Sequence, residues 1–305
     1  MRHILSIIAF LSLTLASNAQ TTIVKTRSAF GLRVVFEDTK TSGTFRSASG
    51  QVITFAAPGN KYEYDKIDDN NLQVKFHVYL AFADKPDEGI EGETLLQIGS
   101  GHSKYYSSLI HHADSIIQAE DNRKFHSLLA NANPVFYRNV YYTDLQTGEL
   151  DFVCRFGTED FEYLEVPPAI EWNISEETRE ICGHLCRKAS GDFRGRTWEA
   201  WFTEDIPVSA GPWKLRGLPG TILSARDSEE LIRFDAVSIE EGSGIIEKPA
   251  YPYFKTSRKK YLSMLQQCFK TPDKFISMHM SRAPGISIEA VHDEPLRKVI
   301  LPEKD

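Results

Sequence analysis

Leu72-Gln73-Val74-Lys75-Phe76-His77-Val78-Tyr79-Leu80 is the stretch on which the fold turns. In an extended chain Leu72, Val74, Phe76, Val78 and Leu80 share one side, and Gln73, Lys75, His77 and Tyr79 the other. A period of two marks a strand with one packed face and one wet face, the usual state of an antiparallel sheet. Outward from it, strand-like runs occupy residues 32–37 and 52–55. Pro58-Gly59-Asn60 and Asp68-Asp69-Asn70-Asn71 between the runs favour turns, because glycine and short polar side chains tolerate turn geometry. Further strands are expected at 135–137, 140–142, 150–156, 161–166, 181–188, 197–203, 222–225 and 231–237. Residues 103–130 read as an amphipathic helix instead, with Tyr105, Tyr106, Leu109, Ile110, Ala113, Ile116 and Ile117 at three-to-four spacing. A second helix is expected over 257–269, where Tyr261, Leu262, Leu265, Cys268 and Phe269 form a stripe and Pro272 stops propagation.

The fold expected is therefore mostly β with some α: a curved antiparallel sheet or open half-barrel with one or two helices packed on it. Its architecture is analogous to that of periplasmic lipoprotein carriers. The division expected is a signal peptide at 1–19, an antiparallel β domain at 20–245 with a helical insertion near 103–130, and a C-terminal extension at 246–305 ending in a loose tail. The signal reading rests on Arg2-His3, the apolar run from Ile4 to Leu15, and small residues before a cut after Ala19. A membrane-spanning helix needs about 20 apolar residues, and neither this run nor any later one reaches that. The expected address is the periplasm or cell envelope, with no transmembrane segment in the mature chain.

The 305 residues carry 35 Lys+Arg against 42 Asp+Glu, a net charge of −7. That balance excludes the basic footprint by which proteins hold nucleic acid. Four cysteines, Cys154, Cys182, Cys186 and Cys268, could oxidise outside the cytoplasm, and the sequence leaves their pairing open. If Cys182 and Cys186 lay on one strand they would be about 13 Å apart, too far to bridge.

Residues 192–225 read DFRGRTWEAWFTEDIPVSAGPWKLRGLPGTILSA. Pro207, Pro212 and Pro219 push their preceding residues to extended geometry, and Pro219-Gly220 suits a type II turn with positive φ at the glycine. A rigid connector between two strands is expected. Within it Trp213, Leu215 and Leu218 can either plug one end of the sheet or line the mouth of an apolar ligand site. The structural motif comprises Gly211, Pro212, Gly217, Pro219 and Gly220. The string Gly211-Pro212-Trp213-Lys214-Leu215-Arg216-Gly217-Leu218-Pro219-Gly220-Thr221-Ile222 resembles the signature of the GLPGLI family, extracytoplasmic proteins of unknown function from Gram-negative bacteria, with Thr221 where the family has its second leucine. The resemblance spans about residues 22–245 and implies no catalytic residues, because the family has none assigned.

Enzyme signatures are missing: there is no Gly-x-Ser-x-Gly elbow, no His-Glu-x-x-His and no phosphate-binding loop. No cofactor and no metal ligand set is expected, since His111-His112 and the aspartates near 65–69 lack chelating spacing. Three functions follow as expectations. The first is a non-enzymatic protein holding an apolar or lipid-like ligand, with Trp198, Trp213, Leu215 and Leu218 near its tails and Arg196 or Arg216 near its head. The second is an accessory protein that binds an outer-membrane partner. The third is an enzyme built on Cys186, His184 and Asp192, with Cys186 and His184 about 6.6 Å apart on one strand face.

Overall fold

The computed structural model describes residues 22–27, 33–39, 42–47, 52–56, 63–108, 139–156, 159–250, 252–270 and 300–304, the first four ranges by their backbone. The chain divides into two compact units, one containing residues 22–56 and the other the described residues 63–266 and 300–304. In the first unit β1 (Thr22–Arg27), β2 (Arg33–Thr39), β3 (Ser42–Ser47) and β4 (Val52–Ala56) pair in chain order as an antiparallel meander. Thr22 lies opposite Asp38, Val34 opposite Ser47 and Arg46 opposite Val52.

The second unit is built on one large sheet formed by two meanders. The first runs through β6 (Leu72–Ala81), β7 (Gly89–Ile98), β8 (His102–Ser107), β9 (Val140–Asp144), β10 (Leu150–Phe156) and β11 (Glu159–Glu165). The second runs through β12 (Asn173–Ile181), β13 (His184–Phe193), β14 (Arg196–Thr203), β15 (Thr221–Asp227) and β16 (Ile232–Glu241). β16 returns beside β6 and joins the two, Phe234 facing Val78 and Ile239 facing Val74. β18 (Phe254–Lys255) adds in parallel to β11, so the order of twelve strands ends at β12 and β18 and the sheet stays open. A mostly β architecture with an open antiparallel sheet and a helix, α1 (Arg258–Lys270), is thus what the alternating stretch at 72–80 leads to.

In that stretch Val74, Phe76, Val78 and Leu80 are buried and the intervening residues half-buried, as a period of two requires. Registers then carry the buried face across strands. Val74, Leu96, Tyr105, Tyr141, Phe152 and Tyr163 stand side by side on β6 to β11. Ala189, Ala200, Ala225, Phe234 and Val78 make a second row on β13 to β16 and β6. The opposite face is covered over β7 to β10 by a two-stranded ribbon of β5 (Tyr64–Asp69) and β17 (Ile245–Pro249). Ile246 is fully buried there against Leu95, Tyr106, Val140, Tyr142 and Val153, a burial that contributes about 1.5–3 kcal/mol.

Three expectations are corrected. Residues 102–107 are strand β8 and not the start of a helix; Tyr105 and Tyr106 are both buried, one on each covered face, which imitates a helical cluster. The remainder of that expected helix, from residue 109, lies outside the described residues, as does the strand at 135–137. Residues 181–188 are not one strand, because Cys182 and Gly183, at φ 50° and 81°, turn the chain between β12 and β13. The last described residues, 300–304, are docked and not loose: the Ile300 amide donates to the Ala81 carbonyl at 2.8 Å and the Lys304 amide to Arg194 at 3.0 Å.

Candidate functional site: the strapped face

Residues 204–220, between β14 and β15, cross the buried face as a strap. The Ile222 amide donates to Ala210 at 2.9 Å, the Thr221 amide to Ile206 at 3.0 Å, and the Thr221 hydroxyl to Val208 at 3.0 Å. Ser209 Oγ accepts from the Gly217 amide at 2.8 Å, and Trp172 Nε1 donates to the Arg216 carbonyl at 2.8 Å. Such bonds satisfy backbone groups that a long connector would otherwise bury without partners. Gly217 adopts φ 101°, which favours glycine, whereas Gly220 is not at positive φ, so the expected type II turn is absent. What demands glycine at 220 is closeness: a Cβ there would stand 2.0 Å from the Thr203 carbonyl oxygen. Gly211 is held by the same constraint, its Cβ position lying 2.6 Å from Leu215 O. Pro212 and Pro219 lie within the strap, Pro212 buried and its carbonyl accepting from the Leu215 amide at 3.1 Å.

The strap drives Trp213, Leu215 and Leu218 into the face, all buried. Trp213 takes a left-handed backbone, φ 55°, a conformation that costs on the order of 1–3 kcal/mol outside glycine. Its ring repays this by packing 5.7 Å from Trp198 and 5.5 Å from Phe193. From Trp198, which is 0% exposed, ring contacts continue through Phe234, Tyr105, Tyr141 and Phe152 to Tyr163 and Tyr261 of α1. Strap and helix therefore fill the face with aromatic and aliphatic side chains. Among the described residues the cavity lined by Tyr105, Leu150, Trp213, Leu215 and Arg216 has a volume of about 20 Å³, room for one water. Trp201, of opposite parity to Trp198, has the Arg179 guanidinium 4.3 Å over its ring.

The cations expected near a ligand head group are engaged within the fold. Arg196 is buried, donating to Asp227 Oδ2 at 2.6 Å and twice to the Leu301 carbonyl at 3.2 and 2.9 Å. Arg216 donates to the Leu145 carbonyl at 3.0 Å and leaves its buried Nε unpartnered; burial lowers its pKa, with Asp144 opposing. Lys214, its side chain 1% exposed, donates to Glu165 at 2.6 Å, to the Tyr163 hydroxyl at 3.1 Å and to Glu303. Glu165, Asp227 and Glu303 were invisible as site residues in the sequence, because each pairs with a cation 29 to 89 positions away. The only local hint is the density of Arg and Lys between 194 and 216.

The candidate nucleophile set is not assembled. His184 Nδ1 lies 3.0 Å from Asp205 Oδ2, Asp192 accepts from the Thr197 hydroxyl at 2.6 Å, and Cys186 Sγ faces the His184 carbonyl at 3.6 Å. Burial pushes the Cys186 thiol up to about 11, with Arg179 pulling the other way, so it is not a thiolate at neutral pH. Cys154, Cys182 and Cys186 are all free. No group of His, Cys, Asp and Glu among the described residues could hold a metal. No described helix is long and apolar enough to cross a membrane.

A family model described as a protein of unknown function, Porph_ging, matches residues 193–224, the segment that holds β14, the strap and the GLPGTI string. No curated protein matches the chain in sequence. Two solved structures of PNGF-II, in P21 and C2 crystal forms, are similar at TM-scores of 0.48 and 0.47, with 15% and 14% identity. They match over 66% and 65% of this chain, which spans only 34% and 33% of theirs.

Proposed function

We propose that this chain is an exported, non-enzymatic protein of a Gram-negative cell envelope that works by binding a partner protein at its surface. The observation that carries this reading is the filled strapped face. An apolar ligand among Trp198, Trp213, Leu215 and Leu218 needs a cavity of hundreds of Å³, against about 20 Å³ in the cavity that Tyr105, Leu150, Trp213 and Leu215 line among the described residues. Lifting the strap to make room would expose three large apolar side chains at about 1.5–3 kcal/mol each. Together these losses, about 4.5–9 kcal/mol, offset roughly half or more of the order of 10 kcal/mol that burying an acyl chain returns at ~0.8 kcal/mol per CH₂. Recognition by the outer surface carries no such cost. The dispersal of Cys186, His184 and Asp192 among separate partners supports a role without covalent chemistry.

Crosslinking in intact cells followed by peptide mass spectrometry tests the reading. One envelope protein captured reproducibly, with no lipid co-purifying, is the expected result. A stoichiometric lipid and no captured protein would overturn it and restore the apolar-ligand reading.

A further inference from the structure

The 300–304 segment lies in a groove that reads peptide chemistry. Its backbone is held at three points: the Ile300 amide on Ala81 O, the Leu301 carbonyl in the Arg196 fork, and the Lys304 amide on Arg194 O. Its Glu303 carboxylate, 8% exposed, receives Lys214 and, at 2.6 Å, Arg258 Nε. Lys304 adds an exposed contact to Glu229 at 3.3 Å. Backbone bonds with one anchored side chain are how extended peptides are recognised elsewhere.

Charge bookkeeping shows what the groove asks for. Lys214 and Arg194 share Glu165, at 2.6 and 2.7 Å, and Arg258 reaches the same carboxylate only at 4.0 Å. Without Glu303, the Lys214 ammonium, shut away from water, would share the single Glu165 carboxylate with Arg194, an unfavourable arrangement for a buried charge. The groove therefore requires an anion at this position. It requires little else, since Leu301 and Pro302 are only half-buried, and the Ile300 and Lys304 amides and the Leu301 carbonyl are backbone groups common to nearly any sequence.

We propose that this groove is the partner-binding site: it takes an extended acidic segment of another polypeptide, with a glutamate at the place of Glu303, and residues 300–304 occupy it as a resident competitor. The proposal rests on the partner-binding reading above and specifies its partner as a carboxylate-bearing peptide. Exchange of one segment for the other breaks and re-forms the same ion pairs, so the two compete for one place.

The test uses the full-length chain and a labelled synthetic peptide of residues 299–305, VILPEKD. Fluorescence anisotropy should show the Glu303→Gln chain binding this peptide at least about tenfold more tightly than the unaltered chain, whose own segment competes. A peptide with glutamine in place of its glutamate should lose that binding. Should Glu303→Gln fail to fold, Pro302→Gly, which loosens the segment without removing a charge partner, takes its place. In parallel, hydrogen exchange on the unaltered chain at millimolar peptide should speed up at the Ile300 and Lys304 amides. No binding by a folded variant, or equal binding of both peptides, overturns the proposal. Crosslinks to an envelope protein that map away from Arg194, Lys214 and Arg258 would remove the groove assignment and leave the partner-binding reading standing; a lipid without crosslinks would remove that reading instead.

Discussion

Arg196 and Asp227 form an ion pair of 2.6 Å with both side chains almost entirely out of water, 4% and 2% exposed. The other Asp227 oxygen accepts from the Leu231 and Ile232 amides at 2.7 and 2.9 Å, fixing the turn between β15 and β16. Breaking one partner leaves a buried charge uncompensated, so Asp227→Ala should lower unfolding free energy by about 3–5 kcal/mol in urea titration. Replacing both, Arg196→Met with Asp227→Leu, should cost less than the single change. Equal losses for the single and double variants would show that the pair is not isolated from water.

Gly220 and Gly183 separate two reasons for glycine. Gly183→Ala puts a side chain at φ 81° with nothing within 4 Å, a cost of about 1 kcal/mol from the backbone alone. Gly220→Ala drives a methyl group into the Thr203 carbonyl, which cannot move without shifting β14, and should cost about 3 kcal/mol or more. Thermal unfolding of the two variants side by side checks the order; a milder effect at 220 would mean that the strap joins β15 in a different way.

Thiol labelling should distinguish the cysteines. Cys182 is exposed at the hairpin tip, and burial raises its pKa and, further, that of Cys186. Raised values mean little thiolate at pH 7 and more as the pH climbs. Comparing the chain with Cys182→Ser at pH 8, one rapidly labelled equivalent should disappear, while Cys186→Ser should leave the fast phase intact.

Acid sensitivity should trace in part to Asp68. Burial tends to raise its pKa, but the Gly101, Asp69 and His102 amides and the Ser100 hydroxyl outweigh this and hold it below the ordinary 3.8. A depressed native value gives stability that is present above the unfolded pKa and is lost as pH falls through the native one. The midpoint temperature of the unaltered chain should therefore fall more steeply below about pH 4 than that of Asp68→Asn; parallel curves would contradict the assignment.

How far the sequence can be read depends on whether a residue's environment is set nearby. Alternation at 72–80 survives because β6 has one face in the core and the other only half-covered. At Tyr105-Tyr106 both faces are covered, by the strapped face and by the β5 and β17 ribbon, so the period of two vanishes and a helix looks plausible. Across 181–188 the alternation in the sequence runs through a hairpin whose two-residue turn reverses it, so that Ile181 shares a face with His184 and not with Leu185. The prolines of the strap mark a stiff connector, yet nothing local tells that Lys214 meets a glutamate 89 positions on, or that Arg196 is spoken for by Asp227. Long-range charge pairing has no period, which is why the cluster at 194–216 looks like a free head-group site in sequence and a closed network in the fold.

Native mass spectrometry of the protein taken from its own cells without detergent asks whether the strapped face is solid. The mass of the polypeptide alone, unchanged by gentle organic extraction, is the result expected of a face filled by Trp213, Leu215, Leu218 and Tyr261. A stoichiometric adduct of lipid mass, lost on extraction and lost again when Trp213 is replaced by alanine, would contradict it.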